Sequence, residues 1–516
     1  MANTALTNER EAKASLSSSK KVGIIALVAF VVSAMLGGGV FNLPADAAAA
    51  ASPGSLLVAW AITAVGIWFL ANTFRILSDS FPDLKNGIFT YALHGFGRVI
   101  GFLSAFGYWV SNTCVLVVYS VLITQTLAVF FPSVFSDANG SFTFVDVGFS
   151  LMFVWVLFFV ANKGVKQSAA LNIAGTVGKL IPILLAIIIL FLGFQWAVFV
   201  SAFWGISQQG IPLSFSWENL GSQISQTMIT TLFLFTGIEG AVVISGQAKN
   251  QKDVARATVL GFLIVLALYM MVSLLPLGVY AQGVVAGMTN PSLSTIVGNA
   301  FPTWGSLVVN IGIIIAVMST GLVKLNMLGE MPLFGARAGL FPQIFTRTNK
   351  NGAPSWAYAC SILLASCLIV LVHFLSGNVW LDVINITNIM VLPGYFLSCL
   401  FLWKQAMHLK KEWWAKKAFS RAMALVTGTV GTIFSLYLFY ASGFPFLLLA
   451  CFLYIFGLPL LVRGQAEQRK ADEAAGVTSS TKEAPFKKWE IAFMATIVVL
   501  GVIGVVYAVI SGLFVA

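Results

Sequence analysis

The sequence predicts an all-α membrane protein with about thirteen transmembrane helices. Hydrophobic residues make up 59% of its 516 positions and charged residues only 9%, whereas a soluble domain carries about 25% charged residues. Apolar stretches that approach or exceed the ~20 residues a helix needs to cross a bilayer recur along the chain. We number them spans 1 to 13, and they cover residues 22–51, 54–78, 99–131, 143–161, 170–194, 222–248, 254–281, 304–331, 356–376, 380–403, 421–441, 444–462 and 489–515.

Lysine and arginine are concentrated in the N-terminal tail and in every second loop, which together hold 27 of the 29 basic residues. Basic loops remain on the cytoplasmic side of a membrane. We therefore expect a multi-pass protein of the cell membrane, with a cytoplasmic N-terminus and, after thirteen spans, an external C-terminus. The net charge of +11 then reflects topology and contacts with lipid headgroups, and it does not predict nucleic-acid binding.

The cysteines and histidines show no pattern typical of a metal site or a catalytic centre. All five cysteines lie inside apolar spans, where packing is their usual role, so we expect no disulfide-linked subunit and a monomer or homodimer. The three histidines are far apart, and phosphate-binding and nucleophile motifs are missing from the sequence. We expect neither a cofactor nor a metal, and no enzymatic activity.

Two glycine-rich segments interrupt apolar spans. Span 1 contains Gly37-Gly38-Gly39 shortly after Ala34, and span 6 contains Thr236-Gly237-Ile238-Glu239-Gly240. A helix that stops inside a bilayer exposes backbone N–H and C=O groups, which requires protein partners or a cavity. The N–H groups suit a carboxylate and the carbonyls suit an ammonium. These segments therefore predict a binding site for an amino acid, formed by the backbone of the residues named here.

Spans 1–5 and 6–10 each begin with such a break, and an odd number of spans per half inverts the second half. This arrangement is the inverted repeat of secondary transporters, which bind substrate near the membrane midplane. We therefore divide the chain into a cytoplasmic tail (1–20), a first five-helix repeat (21–196), an external connection (197–221), a second five-helix repeat (222–403), an appended helix pair (404–463), a flexible cytoplasmic linker (464–487) and a further helix (488–516).

Three ionisable residues lie within apolar spans at depths where charge is costly and usually functional. Lys179 lies roughly 15 Å into span 5, where it could replace a coupling sodium ion, carry a proton or cap carbonyls freed in span 1. Lys324 lies near the cytoplasmic end of span 8, within reach of the surface, with Glu330 as a possible partner. Glu239 could sense protons, act in gating of the transport path, attract a cationic substrate or tether the broken helix.

Further residues could line a side-chain pocket around the two breaks. Phe233 lies one turn before Thr236, where it could close over a substrate. Tyr108 and Asn112 place polar groups in span 3, and Ser319 does so in span 8; each could equally form an interhelical hydrogen bond. Asp46 is expected to be a solvated or helix-capping acid near the outer face.

Several motifs resemble those of the amino acid–polyamine–organocation superfamily. The segment Gly37-Gly-Gly-Val-Phe-Asn-Leu-Pro44 is similar to its first-span turn, and Phe235-Thr-Gly-Ile-Glu-Gly240 is similar to its sixth-span motif. The segments Lys249–Thr258, Gly335–Pro342 and Asn349–Pro354 resemble the family's loops after spans 6 and 8. The resemblance covers roughly residues 20–460.

The resemblance implies the leucine-transporter fold with alternating access. It implies that Gly37–Gly39 meet the substrate carboxylate and that carbonyls of Thr236–Ile238 meet its α-ammonium. It further implies that Phe233 is an aromatic gate, that Glu239 is the acid of the sixth-span motif, and that Lys179 stands in for sodium. The chain departs from the pattern at Leu116, where an arginine–agmatine relative has an asparagine.

The ending with Glu330-Met-Pro332 and the appended span most resembles the basic amino acid/polyamine antiporter branch, which includes arginine–ornithine exchangers. We therefore expect a sodium-independent antiporter that imports a cationic amino acid such as arginine and exports a product such as ornithine. Alternatives are a proton-coupled symporter and an exchanger of histidine for histamine, lysine for cadaverine, or tyrosine for tyramine. A hypothesis from a different functional class is a membrane sensor that binds an amino acid without transporting it.

Overall fold

The computed structural model describes residues 23–84, 88–135, 143–164, 166–206, 211–239, 251–373, 379–474 and 486–510. Within these ranges the chain is built from helices, apart from one isolated bridge between Ile206 and Pro212. The predicted N-terminal tail, Gly240 and Lys249 lie outside the described residues. The described part of the chain therefore has the all-α architecture that its composition predicts.

Each predicted span coincides with helical structure in the described ranges. Among the described residues, ten helices are long and apolar enough to cross a membrane as they stand; spans 1 and 6 are interrupted, and the apolar part of span 9 is shorter. The helices are Ile24–Met35 and Leu43–Ala50 (span 1), Pro53–Ser80 (2), Arg98–Phe130 (3), Phe144–Asn162 (4), Lys166–Gly193 (5), Trp217–Phe235 (6), Gln251–Leu274 (7), Gly305–Arg337 (8), Ser355–His373 (9), Val379–His408 (10), Arg421–Ser442 (11), Phe444–Ala474 (12) and Lys488–Ile510 (13).

Span 1 stops being an α-helix at the predicted glycines. Its first half ends at Met35, a short 3-10 helix covers Gly38–Phe41, and a second α-helix begins at Leu43. Pro44 stands in the first turn of that second helix, where its missing N–H costs no hydrogen bond. Glycine and proline thus divide the span into two halves at the position that the sequence indicates.

Span 6 is interrupted by a change of backbone conformation. Its helix ends at Phe235, Thr236 turns to a non-helical ψ of 120°, and Gly237 takes a φ of 116°. Only glycine adopts that φ readily. The carbonyl of Thr236 is therefore turned away from the direction of the helix axis.

The two interrupted spans lie among spans 3, 7, 8 and 10. Span 10 packs on spans 3 and 11, span 8 packs on spans 3 and 5, and span 7 packs on the first half of span 1. A short helix between spans 7 and 8, Ser292–Ala300, holds the second half of span 1 because Ser292 Oγ accepts from the Ala45 amide at 3.2 Å. The core of the fold thus fixes the two breaks from several sides.

The polar segment after span 12 differs from the expected flexible linker over 464–487. Span 12 continues as a helix to Ala474, and residues 475–485 lie outside the described residues. The physical reason is that its side chains find partners: Gln465 accepts from Arg98 Nη1 at 2.7 Å, and Glu467 accepts from the Gln343 amide at 2.6 Å. Alanine, glutamate, glutamine and lysine also favour helix.

Candidate functional site

The two breaks lie directly against each other. A Cβ atom built on Gly237 would lie 2.7 Å from the carbonyl oxygen of Ala34, and one built on Gly39 would lie 2.9 Å from the ring of Phe233. Real Cβ atoms do not approach so closely: Gly237 meets backbone and requires glycine, whereas a Cβ on Gly39 would require the ring of Phe233 to shift. Most of the residues predicted to bind substrate are buried together here: Ala34, Gly37, Gly38, Gly39, Phe233, Thr236, Gly237 and Ile238.

A tyrosine of span 7 bridges the carbonyls of both breaks. Tyr269 Oη lies 2.6 Å from Met35 O and 3.1 Å from Leu234 O, and its side chain is fully buried. Both oxygens belong to the last turns before the breaks, where helical partners run out. The sequence analysis missed Tyr269, because a single tyrosine in an apolar span carries no distinguishing pattern.

Lys179 holds the break of span 1 from span 5. Its Nζ lies 3.0 Å from Ser33 O, 2.9 Å from Ser33 Oγ and 3.0 Å from Thr320 Oγ1. The side chain is 0% exposed. An ammonium has three hydrogens to donate, so these three oxygens satisfy it completely and tie span 5 to spans 1 and 8.

Lys324 holds the break of span 6 from span 8. It is 1% exposed, and its Nζ lies 3.3 Å from Thr236 O. The expectation of a surface-reaching lysine paired with Glu330 is therefore wrong. The expectation fails because the helix of span 8 continues to Arg337. Lys324 therefore lies several turns from the helix end, beside the carbonyl of Thr236, which has left the helical hydrogen-bond pattern.

Glu239 ties the break of span 6 to spans 3 and 10. Its Oε1 accepts from Tyr108 Oη at 2.8 Å, and its Oε2 accepts from Tyr395 Oη at 2.7 Å and from the Gly237 amide at 3.2 Å. The carboxylate is 1% exposed. The structure thus brings together the predicted Tyr108 and Glu239 and adds Tyr395, which sequence reasoning did not single out.

An aromatic contact closes the opposite end of the break region. The ring of Phe233 lies 6.4 Å from the ring of Trp380 in span 10, centroid to centroid. Trp380 Nε1 donates to Asp46 Oδ2 at 3.0 Å. Asp46, expected to be a solvated or helix-capping acid, is half-buried in the first turn of the helix Leu43–Ala50 and also accepts this hydrogen bond from a tryptophan that is 3% exposed. These contacts link the second half of span 1 to spans 6 and 10.

The side chains of the remaining predicted polar residues donate hydrogen bonds to backbone carbonyls of their own helices. Asn112 Nδ2 donates to Tyr108 O at 2.9 Å, and Ser319 Oγ donates to Ala316 O at 3.1 Å. Ser319 packs against Gly175 of span 5, while its neighbour Thr320 contacts Lys179. Leu116 is fully buried. In the described part of the chain, no three His, Cys, Asp or Glu side chains are grouped to hold a metal ion.

Comparisons with known proteins agree on one family. A family model described as amino acid permease matches residues 22–446. A putative amino-acid transporter of Clostridium perfringens is 41% identical over 493 residues, covering 95% of this chain and 99% of that protein. An arginine/agmatine antiporter of Chlamydia pneumoniae is 39% identical over 455 residues, with coverage of 88% and 92%. One of Chlamydia trachomatis is 38% identical over 441 residues, with coverage of 86% and 89%.

A solved structure shares the arrangement of helices. The crystal structure of MhsT in complex with L-phenylalanine matches with a TM-score of 0.56 at 13% identity, covering 81% of this chain and 98% of that one. A likeness at this identity shows the fold alone. The interrupted spans 1 and 6 therefore belong to a leucine-transporter fold.

Proposed function

Because the chain belongs to the amino acid permease family, we propose that it exchanges an external cationic amino acid such as arginine for an internal product such as ornithine by alternating access. The family membership makes it a multi-pass membrane transporter of amino acids and not an enzyme. The names of the chlamydial relatives support antiport and arginine as one partner.

The observation that carries the proposal is the contact between two interrupted spans at which backbone groups lie among buried side chains. The substrate carboxylate would bind at the turn Gly37–Gly39, where the Gly37 amide donates to Met35 O at 2.7 Å in this structure, and the α-ammonium would bind the carbonyls of the turn at Thr236–Ile238. Phe233 lies between Gly39 and Trp380, a position from which it would close over a bound amino acid. We assign the substrate's main-chain groups to these elements.

Lys179 takes the role of a tethered cation. Its three oxygen partners at 2.9–3.0 Å are hard ligands from a backbone carbonyl and two hydroxyls, the donor types that also suit a metal cation. A permanently bound ammonium would hold spans 1, 5 and 8 together without sodium. We therefore propose sodium-independent transport.

Glu239 and its two tyrosines form the inner closure in this proposal, and Phe233, Trp380 and Asp46 form the outer one. The distribution of basic loops supports this orientation, with the N-terminus in the cytoplasm and the C-terminus outside. Alternating access then requires each closure to open in turn. Ser319 and Thr320 belong to the face of span 8 that packs on span 5.

The deciding experiment is uptake of radiolabelled arginine into proteoliposomes that contain ornithine, another amino acid, or no amino acid, in sodium-free buffer. Uptake that requires internal ornithine supports the proposed pair. Uptake into empty vesicles under a proton gradient would replace antiport with proton symport. No arginine uptake under any loading would reject arginine, and competition by histidine, lysine and tyrosine would then identify the substrate.

A further inference from the structure

Among the described residues, Lys324 has fewer partners than its burial demands. In the described part of the chain its one hydrogen bond goes to Thr236 O at 3.3 Å, and it forms no ion pair there. An ammonium can donate three hydrogen bonds. Burial of a charged group with incomplete partners is costly, so this contact marks a position where the protein maintains a cation at the expense of stability.

The acceptor of this contact is a carbonyl of the substrate site. Thr236 ends the first half of span 6, and its ψ of 120° points the carbonyl off the helix. The other carbonyls beside the breaks have different donors: Tyr269 reaches Met35 O and Leu234 O, and Lys179 reaches Ser33 O. Thr236 O is the one that an ammonium of span 8 holds by a single long contact.

Glu239 forms no ion pair with Lys324 among the described residues. A carboxylate attracts an ammonium, but the oxygens of Glu239 already accept from Tyr108, Tyr395 and the Gly237 amide. The amide and both hydroxyls leave Glu239 well satisfied. Lys324 is therefore placed between a carbonyl that it holds weakly and a carboxylate that it does not reach.

We propose that Lys324 is an internal competitor of the substrate: its ammonium occupies Thr236 O in the empty protein and gives way to the substrate's α-ammonium. The inference rests on the proposed function, since it takes the turn at Thr236–Ile238 as the ammonium site. Both groups are primary ammonium ions that seek the same carbonyl, and two like charges at one oxygen repel each other. Lys324 is a positioning residue that lowers affinity for ligands that carry an α-ammonium.

In this proposal the displaced ammonium of Lys324 moves toward Glu239, because the carboxylate attracts it. Binding of the substrate would therefore bring Lys324 closer to the carboxylate that joins spans 3, 6 and 10. A charge that arrives at Glu239 competes with the hydroxyls of Tyr108 and Tyr395 for its oxygens. Occupation of the ammonium site is thereby communicated to the closure that those tyrosines form.

The test compares Lys324→Met, which removes the charge at similar length, with Lys324→Arg, which retains it. Lys411→Met, at an exposed lysine, is the control for loss of a positive charge. Thermal unfolding of each purified full-length protein in detergent is titrated with the twenty amino acids. The amino acid that gives the largest shift is then compared with its α-hydroxy acid analogue, which lacks the ammonium.

We expect Lys324→Met to bind the amino acid about tenfold more tightly than the wild type, or more, because a hydrogen bond to a charged group is gained without competition. Its affinity for the α-hydroxy acid should not increase. Lys324→Arg and Lys411→Met should remain near the wild-type affinity for both ligands. This split between two ligands would not arise from a merely structural lysine.

An equal gain for both ligands, or a folded Lys324→Met protein with unchanged or weaker amino acid binding, would overturn the inference. Failure of the proposed function is recognised separately, by wild-type protein that neither binds nor exchanges any amino acid. If amino acids then stabilise Lys324→Met alone, the competition stands although the transport proposal falls. If they stabilise neither protein, both are rejected.

Discussion

The two interrupted spans are each held by a lysine from another span, but in different ways. Lys179 donates to three oxygens within 3.0 Å at span 1, whereas Lys324 makes one contact of 3.3 Å at span 6. Both side chains are buried. A fully satisfied ammonium acts as a fixed part of the structure, while an ammonium with one long contact can be displaced.

This difference indicates which half of the site changes when the protein binds its substrate. At span 1 the ammonium of Lys179 is satisfied without a ligand, so Lys179 fixes the position of Ser33 just before the glycines. Among the described residues of span 6 the balance is incomplete, and in the proposal both Thr236 O and Lys324 gain from a rearrangement. Equal burial therefore does not imply equal roles, and the count of hydrogen bonds separates a fixed tether from a group that can move.

The largest effect is expected at Lys179. Lys179→Met removes three hydrogen bonds to a charged group, each of which contributes about 1.5–3 kcal/mol, and leaves the oxygens of Ser33 and Thr320 without their donor. We expect exchange in proteoliposomes to fall about 100-fold or more. Lys411→Met should exchange like the wild type. Full exchange by the Lys179 variant would show that span 1 needs no tethered cation.

A smaller loss is expected from Gly237→Ala, which tests whether the backbone of span 6 must approach span 1. The new Cβ would lie 2.7 Å from Ala34 O at a φ of 116°, and overpacking costs about 1–3 kcal/mol. We expect exchange to fall about 10- to 100-fold, with lower thermal stability in detergent. The matched control is Gly221→Ala, where no atom lies within 4 Å of the added Cβ.

Gly221 lies inside the helix Trp217–Phe235, which ends before Gly237, so alanine there should keep or slightly raise stability. If both glycine variants exchanged equally well, the close contact between the breaks would have no part in transport. Loss confined to Gly237 would show that the position, and not a general demand for glycine in span 6, is responsible.

The smallest of the three effects is expected from Tyr395→Phe. It removes one of three donors to Glu239 and leaves Tyr108 and the Gly237 amide in place, so we expect exchange to change about tenfold. Tyr454→Phe is the control, since its hydroxyl donates to Leu103 O at 2.9 Å away from the breaks. A double variant with Tyr108→Phe should not be additive, because both hydroxyls act on one carboxylate.

Strong local signals explain how much of the fold could be predicted. Gly37–Gly39 and Gly237 interrupt apolar runs, and the structure confirms both breaks. The depth of Lys179 in span 5 likewise predicted a buried cation near span 1. These inferences depend on covalent limits of the backbone and on the cost of charge in a membrane, which the sequence expresses directly.

Side-chain partners between spans were harder to predict, because they depend on packing. Counting residues to the expected end of span 8 placed Lys324 near the surface, whereas the longer helix places it beside Thr236. Tyr269, Tyr395 and Trp380 contact the break region because of how their helices are rotated about their axes. The hydrophobic pattern of the sequence does not determine that rotation. The polar composition after residue 464 predicted a linker. In the structure Arg98 and Gln343, which lie far away in the sequence, form hydrogen bonds with this segment.

The most direct test of the contrast between the two lysines is amino acid exchange in sodium-free proteoliposomes, measured in parallel for the wild type, Lys179→Met and Lys324→Met over a range of external substrate. The account predicts sodium-independent exchange by the wild type, loss of exchange without Lys179, and retained exchange with a lower half-saturating concentration without Lys324. Equal loss in both variants, or equal retention in both, would contradict the distinction between a fixed and a displaceable cation.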